Sequence, residues 1–206
     1  MSPLFALPAA YLIGAFPTSY LAGKLARGID LREHGSRNLG ATNVFRTLGW
    51  KYAIPVGVID LAKGAVPVLV FGKSSGAAPW LGVAVGIATV LGHMFSPFLR
   101  FRGGKGVATA GGVFIALAPI AIVLTALVWG LVLWLSGYVS VASIIASLLF
   151  PLLAWLTNPG ATYTVLAGIV LALLIVVSHR ANIRRLRTGA EHRFNTRKGR
   201  GGSVTA

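Results

Sequence analysis

Long apolar runs separated by short polar stretches make up almost the whole chain. The runs cover about 3–23, 52–71, 78–99, 107–136, 138–157 and 160–178. A helix that crosses a bilayer needs about 20 mostly apolar residues, at a rise of 1.5 Å each. The run 107–136 is longer than one crossing requires, and Pro119 stands near its middle. A proline there removes a helix hydrogen bond and favours a break. The pattern therefore predicts two helices, 107–117 and 119–136, the first of them unusually short.

Charge gives these helices a direction. Lysine and arginine number 19 against 4 acidic residues, a net charge of +15. All the cations except Lys63 and Lys73 fall in three stretches, 24–51, 100–105 and 180–200. Basic loops stay on the cytoplasmic side. If all three stretches lie there, the chain crosses an even number of times between Lys105 and Arg180. The expected fold is an all-α integral membrane protein of seven transmembrane helices, N-terminus outside and C-terminus cytoplasmic. A five-helix version, with 107–136 looping back, keeps the same polarity.

Composition agrees, with 55% apolar residues, 11% charged residues and a mean hydropathy of +0.77. This places the chain in the membrane class. One integral domain is expected over 1–191, followed by a basic, Gly-rich, frayed tail over 192–206. Residues 1–23 have no charged leading region and read as a retained first helix. There are no cysteines, which excludes disulfides, thiolate metal sites and a cysteine nucleophile. The basic stretches lack the interleaved aromatics of a base-stacking platform, so nucleic acid is not the expected partner. Membrane lipid is. The 26 glycines, and patterns such as Gly82-x-x-x-Gly86, suit close helix approach.

The three basic stretches also carry phosphate-binding residue types. The first reads Gly35-Ser36-Arg37-Asn38-Leu39-Gly40-Ala41-Thr42-Asn43-Val44, then Arg46. Glycine and asparagine permit tight turns that converge N–H groups on an anion, with hydroxyls and arginines adding donors. The second holds Gly92-His93 and then Phe101-Arg102-Gly103-Gly104-Lys105-Gly106. It is no Walker A loop, since Leu99 stands where the first glycine belongs and Gly106 follows the lysine. What remains is a glycine-rich loop entering a helix N-terminus, where unpaired N–H groups favour phosphate. The third holds Ser178-His179-Arg180, Asn182, Arg185 and Glu191. On one continuous helix His179, Asn182 and Arg185 would share a face. Within the apolar runs, Asp60 and Lys63 are three apart and positioned to pair. Ser140 and Ser143 follow Gly137-Tyr138.

Absences narrow the chemistry. Five places beyond His34, His93, His179 and His192 stand Leu39, Phe98, Arg184 and Arg197, so there is no His-x4-Asp dyad of the acyl-CoA type. Four acidic residues cannot build an Asp-rich metal site. No metal and no cofactor are expected.

GSRNLGATNV, GHMFSPFLRFRGGKGVAT and HRANIRRLRTGAE, in that order, resemble the three motifs of the bacterial acyl-phosphate:glycerol-3-phosphate acyltransferases. DLAKGAVPV matches as well. The resemblance implies a seven-helix enzyme of the bacterial inner membrane with its site facing the cytoplasm. It would transfer a fatty acyl group from acyl phosphate to the 1-hydroxyl of glycerol-3-phosphate. The products would be lysophosphatidic acid and inorganic phosphate, in the first step of phospholipid synthesis, with no obligatory protein partner. Two phosphorylated substrates explain several cationic loops. Ser36, Arg46, Lys105, His179 and Asn182 are expected to hold the acceptor's phosphate. Lys105 and the Gly103, Gly104 and Gly106 backbone would hold the donor's. Arg37, Asn38, Thr42 and Asn43 would shape the first loop or add donors, with His93, Ser143 and Arg180 as further binding residues. His179 is a possible general base; the resemblance favours a substrate phosphate oxygen in that role. The rival reading, a transporter of a phosphorylated or lipid-linked anion, calls for mid-membrane polar sites and paired broken helices. Only Asp60–Lys63 and the Pro119 break favour it.

Overall fold

A computed structural model of the chain describes residues 2–72, 78 and 80–194. Every regular element among them is helical. In chain order they are α1 (Pro3–Gly14), α2 (Thr18–Arg27), α3 (Ala41–Leu48), α4 (Trp50–Pro67), α5 (Leu81–Met94), α6 (Val107–Leu117), α7 (Pro119–Ser136), α8 (Val139–Thr157), α9 (Thr162–Ser178) and α10 (Arg180–Arg187). A π turn, Val68–Gly72, extends α4, and a 3-10 turn, Pro97–Leu99, follows α5.

Five stretches among the described residues are long and apolar enough to cross a membrane: Pro3–Arg27, Trp50–Gly72, Leu81–Leu99, Pro119–Ser136 and Val139–Thr157. Helices α9 and α10 make a sixth if counted as one span bent by 54°, and α6 is a shorter apolar helix. The protein is therefore a multi-pass, all-helical membrane protein.

The break ahead of Pro119 falls where the sequence places it, with Ala118 at φ −147°, ψ 70° between α6 and α7. Two other expectations change. The run 3–23 is not one helix; the chain breaks at Ala15–Pro17, and α2 continues to Arg27. Pro17 brings no N–H, and beside it the Phe16 carbonyl accepts from the Lys63 ammonium at 3.1 Å. The continuous helix expected through His179 is bent there, between α9 and α10.

Glycines seal two helix pairs. A methyl on Gly14 would collide with the Thr89 carbonyl, and one on Gly92 with the Tyr11 carbonyl, which locks α1 against α5. Gly64 and Gly112 do the same for α4 and α6, against the Thr109 and Leu61 carbonyls. Bare backbone lets helices touch where lipid gives no hydrophobic drive to associate. The pair singled out in the sequence packs differently: Gly82 lies against Gly72, and Gly86 receives the Val113 side chain. Helices α7 and α8 form a third pair, with α9 on the far side of α8. Helix α7 packs far less on α6 than on α8, and a wedge opens between α4/α6 and α7/α8.

Residues 192–194 of the expected frayed tail are instead packed against the helices. After α10 the chain folds back: Arg46 donates to the His192 carbonyl at 3.2 Å, and Phe194 N–H donates to Gly137 at 2.7 Å. The Phe194 ring rests on Phe45 and Trp50, 5.2 and 6.3 Å between centroids. The rest of that tail, 195–206, lies outside the described residues.

Candidate active site

The wedge holds a cavity of about 640 Å³ with a polar mouth and an apolar depth. Its mouth is formed by the three basic stretches together. In the first, Asn43 knits the loop: its Oδ1 accepts from Ser36 N–H at 2.8 Å, and its Nδ2 donates to the Leu31 and His34 carbonyls at 3.1 Å. Leu31, Leu39, Val44 and Leu99 form a small core beneath. Ser36 and Arg46 are thereby carried to the cavity wall.

The second loop is clamped to the end of α5. Gly103 N–H donates to the Met94 carbonyl at 3.0 Å and Gly104 N–H to the His93 carbonyl at 3.2 Å. A methyl on Gly104 would collide with the Leu39 carbonyl and the His93 ring, so both loops and α5 meet there without space. Gly106, at φ 79°, takes the left-handed turn into α6 that suits glycine. No side chain caps α6, and Gly106, Val107 and Ala108 line the cavity beside Lys105. The N–H groups of a helix's first turn lack intrahelical partners and attract anions.

The third stretch supplies His179, Asn182 and Glu191. His179 Nδ1 lies 2.8 Å from the Ile175 carbonyl, which can only accept, so Nδ1 carries the hydrogen. In the neutral ring this leaves Nε2 as an acceptor. The Asn182 Oδ1 accepts from the Lys105 ammonium, and its Nδ2 donates to Glu191 Oε1 at 2.6 Å. Glu191 also accepts from Ser140 Oγ at 2.9 Å and from Arg185 Nε at 2.7 Å. Burial alone would raise the Glu191 carboxyl, but the hydrogen bonds from Asn182, Arg185 and Ser140 hold it below its ordinary range. Lys105 is pushed down to about 8: burial disfavours its charge most, Glu191 opposes that, and Arg185 and Arg46 add repulsion.

Behind the mouth, Asp60 on α4 pairs with Lys63 at 2.7 Å, and His93 Nδ1 lies 4.0 Å from the same carboxylate oxygen. That oxygen has no well-aligned hydrogen bond. Deeper in, Trp129 Nε1 donates to Ser143 Oγ at 3.1 Å. Beyond that the lining is apolar but for Thr125 and Ser147, whose hydroxyls donate to the Ala121 and Ile144 carbonyls of their own helices. Ile115 of α6 and Val123 of α7 border the cavity yet are 48% and 59% exposed, marking a sideways slot between those helices.

Residues 4–189 match the family model described as glycerol-3-phosphate acyltransferase. The chain belongs to the glycerol-3-phosphate acyltransferase family. It is 45% identical over 195 residues to the glycerol-3-phosphate acyltransferase of Aquifex aeolicus, a match covering 94% of this chain and all of that protein. To the Desulforudis audaxviator protein of that name it is 48% identical over 191 residues, 92% of this chain and 94% of that one. The crystal structure of PlsY (YgiH), an integral membrane glycerol 3-phosphate acyltransferase, in its glycerol 3-phosphate form, superposes with a TM-score of 0.89 at 43% identity, covering 96% of this chain and 98% of that chain. Its lysophosphatidic acid form superposes at 0.86. This family member is an acyltransferase.

Of the residues that the sequence nominates, Ser36, Asn38, Thr42, Arg46, His93, Lys105, Gly106, Ser143, His179 and Asn182 line the cavity. Asn43 also borders it, but both ends of its amide are spent on the loop. Gly103 and Gly104 have their N–H groups committed to α5, so they pack the loop and offer no donor to a phosphate. Arg37 and Arg180 are exposed and do not line the cavity. Glu191, Ser140 and Trp129 line the cavity as well, without a role assigned to them from sequence. A lone acid inside a basic stretch was the available signal for Glu191, since such a carboxylate needs partners nearby.

Proposed function

We propose that this enzyme transfers a fatty acyl group from acyl phosphate to the 1-hydroxyl of glycerol-3-phosphate, releasing lysophosphatidic acid and inorganic phosphate. One observation carries the reading: a single cavity joins a cationic mouth, with Arg46, Lys105 and the uncapped start of α6, to an apolar depth. Two phosphates and one fatty chain need that combination.

Ser36 and Arg46, with the Lys105–Asn182 pair, hold the acceptor's phosphate, and Thr42 and Asn38 border the same pocket. Lys105 and the first N–H groups of α6 face the donor's phosphate and neutralise charge as it leaves. The acceptor hydroxyl attacks the acyl carbon, a C–O bond forms, and the anhydride C–O bond breaks. The hydroxyl proton passes to a phosphate oxygen. Acyl phosphate is a mixed anhydride with a good leaving group, so positioning and charge stabilisation suffice. The His179 Nε2 lone pair orients the attacking hydroxyl without itself having to become the base.

The reading extends to topology: seven crossings in a bacterial inner membrane, α6 being the short fourth, with the mouth in the cytoplasm. Because the chain has no cysteine, Ser2→Cys and Thr188→Cys report opposite sides by impermeant thiol labelling; labelling from one side alone would sink the seven-crossing arrangement. The decisive assay is lysophosphatidic acid formation, read together with phosphate release, in nanodiscs from palmitoyl phosphate plus glycerol-3-phosphate. Palmitoyl-CoA, which would release a thiol and no phosphate, is the comparison donor. Release requiring both substrates is expected. No release by folded protein, or equal turnover with palmitoyl-CoA, would refute the donor.

A further inference from the structure

The apolar depth of the cavity ends at a defined floor. Its wall on α8 runs from Ser140 to Phe150, on α9 from His179 up to Gly168, and beside α6 from Gly106 to Ile115. At 1.5 Å per residue these climbs are about 15, 16 and 14 Å. They stop at similar depth because Phe114 and Phe150 stack across the end, 3.8 Å between centroids and 28° between planes. Both rings are buried. Ala154 and Ala167 continue the packed core from there, 0% and 2% exposed. A third residue fixes where the stack lies: a methyl on Gly168 would sit 2.8 Å from Phe150 Cδ1 and 3.0 Å from Cε1. Real methyl groups do not pack that close, so the ring keeps this position only because residue 168 is glycine.

We propose that the Phe114–Phe150 stack is the stop that sets which acyl chain length the enzyme prefers, with Gly168 setting the height of the stop. This rests on the acyl-transfer reading above. An extended chain advances roughly 1.3 Å per carbon when its C–C bonds are near 1.5 Å. About a dozen carbons then reach the rings from the polar mouth, given the climb of about 15 Å. Longer tails must turn at the stack and leave through the slot beside Ile115 and Val123. A turned tail exchanges protein contacts for lipid, so added methylenes gain little beyond that point.

The test is the ratio of kcat/KM for stearoyl phosphate to that for lauroyl phosphate, measured within each variant so that partial loss of folded protein cancels. Phe150→Ala lowers the floor and raises the ratio, by up to about fourfold for each methylene newly accommodated. Gly168→Ala pushes the ring into the cavity and lowers the ratio. Opposite shifts in the two variants support the stop; equal ratios in wild type and both variants overturn it. If the wild type accepts no acyl phosphate, the donor assignment fails by itself. The same ratio is then read from relative affinities for stearoyl- and lauroyl-lysophosphatidic acid, where opposite shifts again support the stop and unchanged affinities overturn it.

Discussion

Helices α5 and α7 are both long and apolar, yet they do opposite jobs. The Leu81–Leu99 stretch has a mean hydropathy of 1.6 and half of it is buried, whereas Pro119–Ser136 reaches 2.2 with only 11% buried. The greasier helix is the less buried one. In a bilayer lipid is as apolar as leucine, so hydropathy reports contact with lipid while small residues report contact with protein. Gly92 of α5 is pressed on α1, and the end of α5 clamps the Lys105 loop. On α7, Leu127, Leu131 and Trp134 face outward, and its inner side packs on α8 and closes the wedge. On the function proposed above, one half of the molecule is a rigid mount for phosphate chemistry and the other a wall for a fatty chain.

That contrast breaks most severely at Asp60. Asp60→Ala would strand the buried Lys63 ammonium, and removing one partner of a buried pair costs about 3–5 kcal/mol. A large drop in melting temperature in detergent is expected, partly recovered by adding Lys63→Met; an unchanged melting temperature would show that the pair does not brace the mount. Next comes a matched pair of glycines. Gly92→Ala drives a methyl into the Tyr11 carbonyl, and overpacking of this kind costs about 1–3 kcal/mol. Gly130→Ala on α7 meets nothing within 4 Å and should be neutral or stabilising by about 0.5–1 kcal/mol. Equal effects at the two sites would erase the distinction between the halves. The smallest effect is a pH limb where the halves meet. The Lys105 ammonium, with its pKa lowered to about 8, loses its charge as pH rises through that value. Affinity for glycerol-3-phosphate should weaken above it by up to tenfold per pH unit, a change worth about 1.4 kcal/mol. Lys105→Arg should flatten the limb, since a guanidinium stays charged. A wild-type profile flat to pH 9.5 would remove Lys105 as its cause.

Much of this architecture is legible in the chain. Apolar run lengths locate the spans, and a proline in an overlong run marks the α6–α7 break, because a missing N–H is a local defect. The Phe16–Pro17 break was missed for want of such an overlong run; it is supported from far away, by Lys63. The motifs hold most of the polar lining, since only donors at a helix start or on a cationic loop suit phosphate. They could not separate residues that face the cavity from those that build the loop. Asn43 and Gly104 look like ligands in sequence and act as mortar in the fold, because what occupies an amide is decided by carbonyls many residues away. Glu191 shows in sequence as a lone acid in a basic stretch, but its partners do not: they exist only once the chain turns after α10 and brings it to Asn182 and Ser140.

The slot beside Ile115 and Val123 changes what concentration means for this enzyme. A donor arriving through it is dissolved in the bilayer, so its supply is a mole fraction of lipid and not a molarity in water. Diluting the membrane with inert lipid at constant bulk donor should then slow the reaction, while diluting the buffer around the same vesicles at constant glycerol-3-phosphate should not.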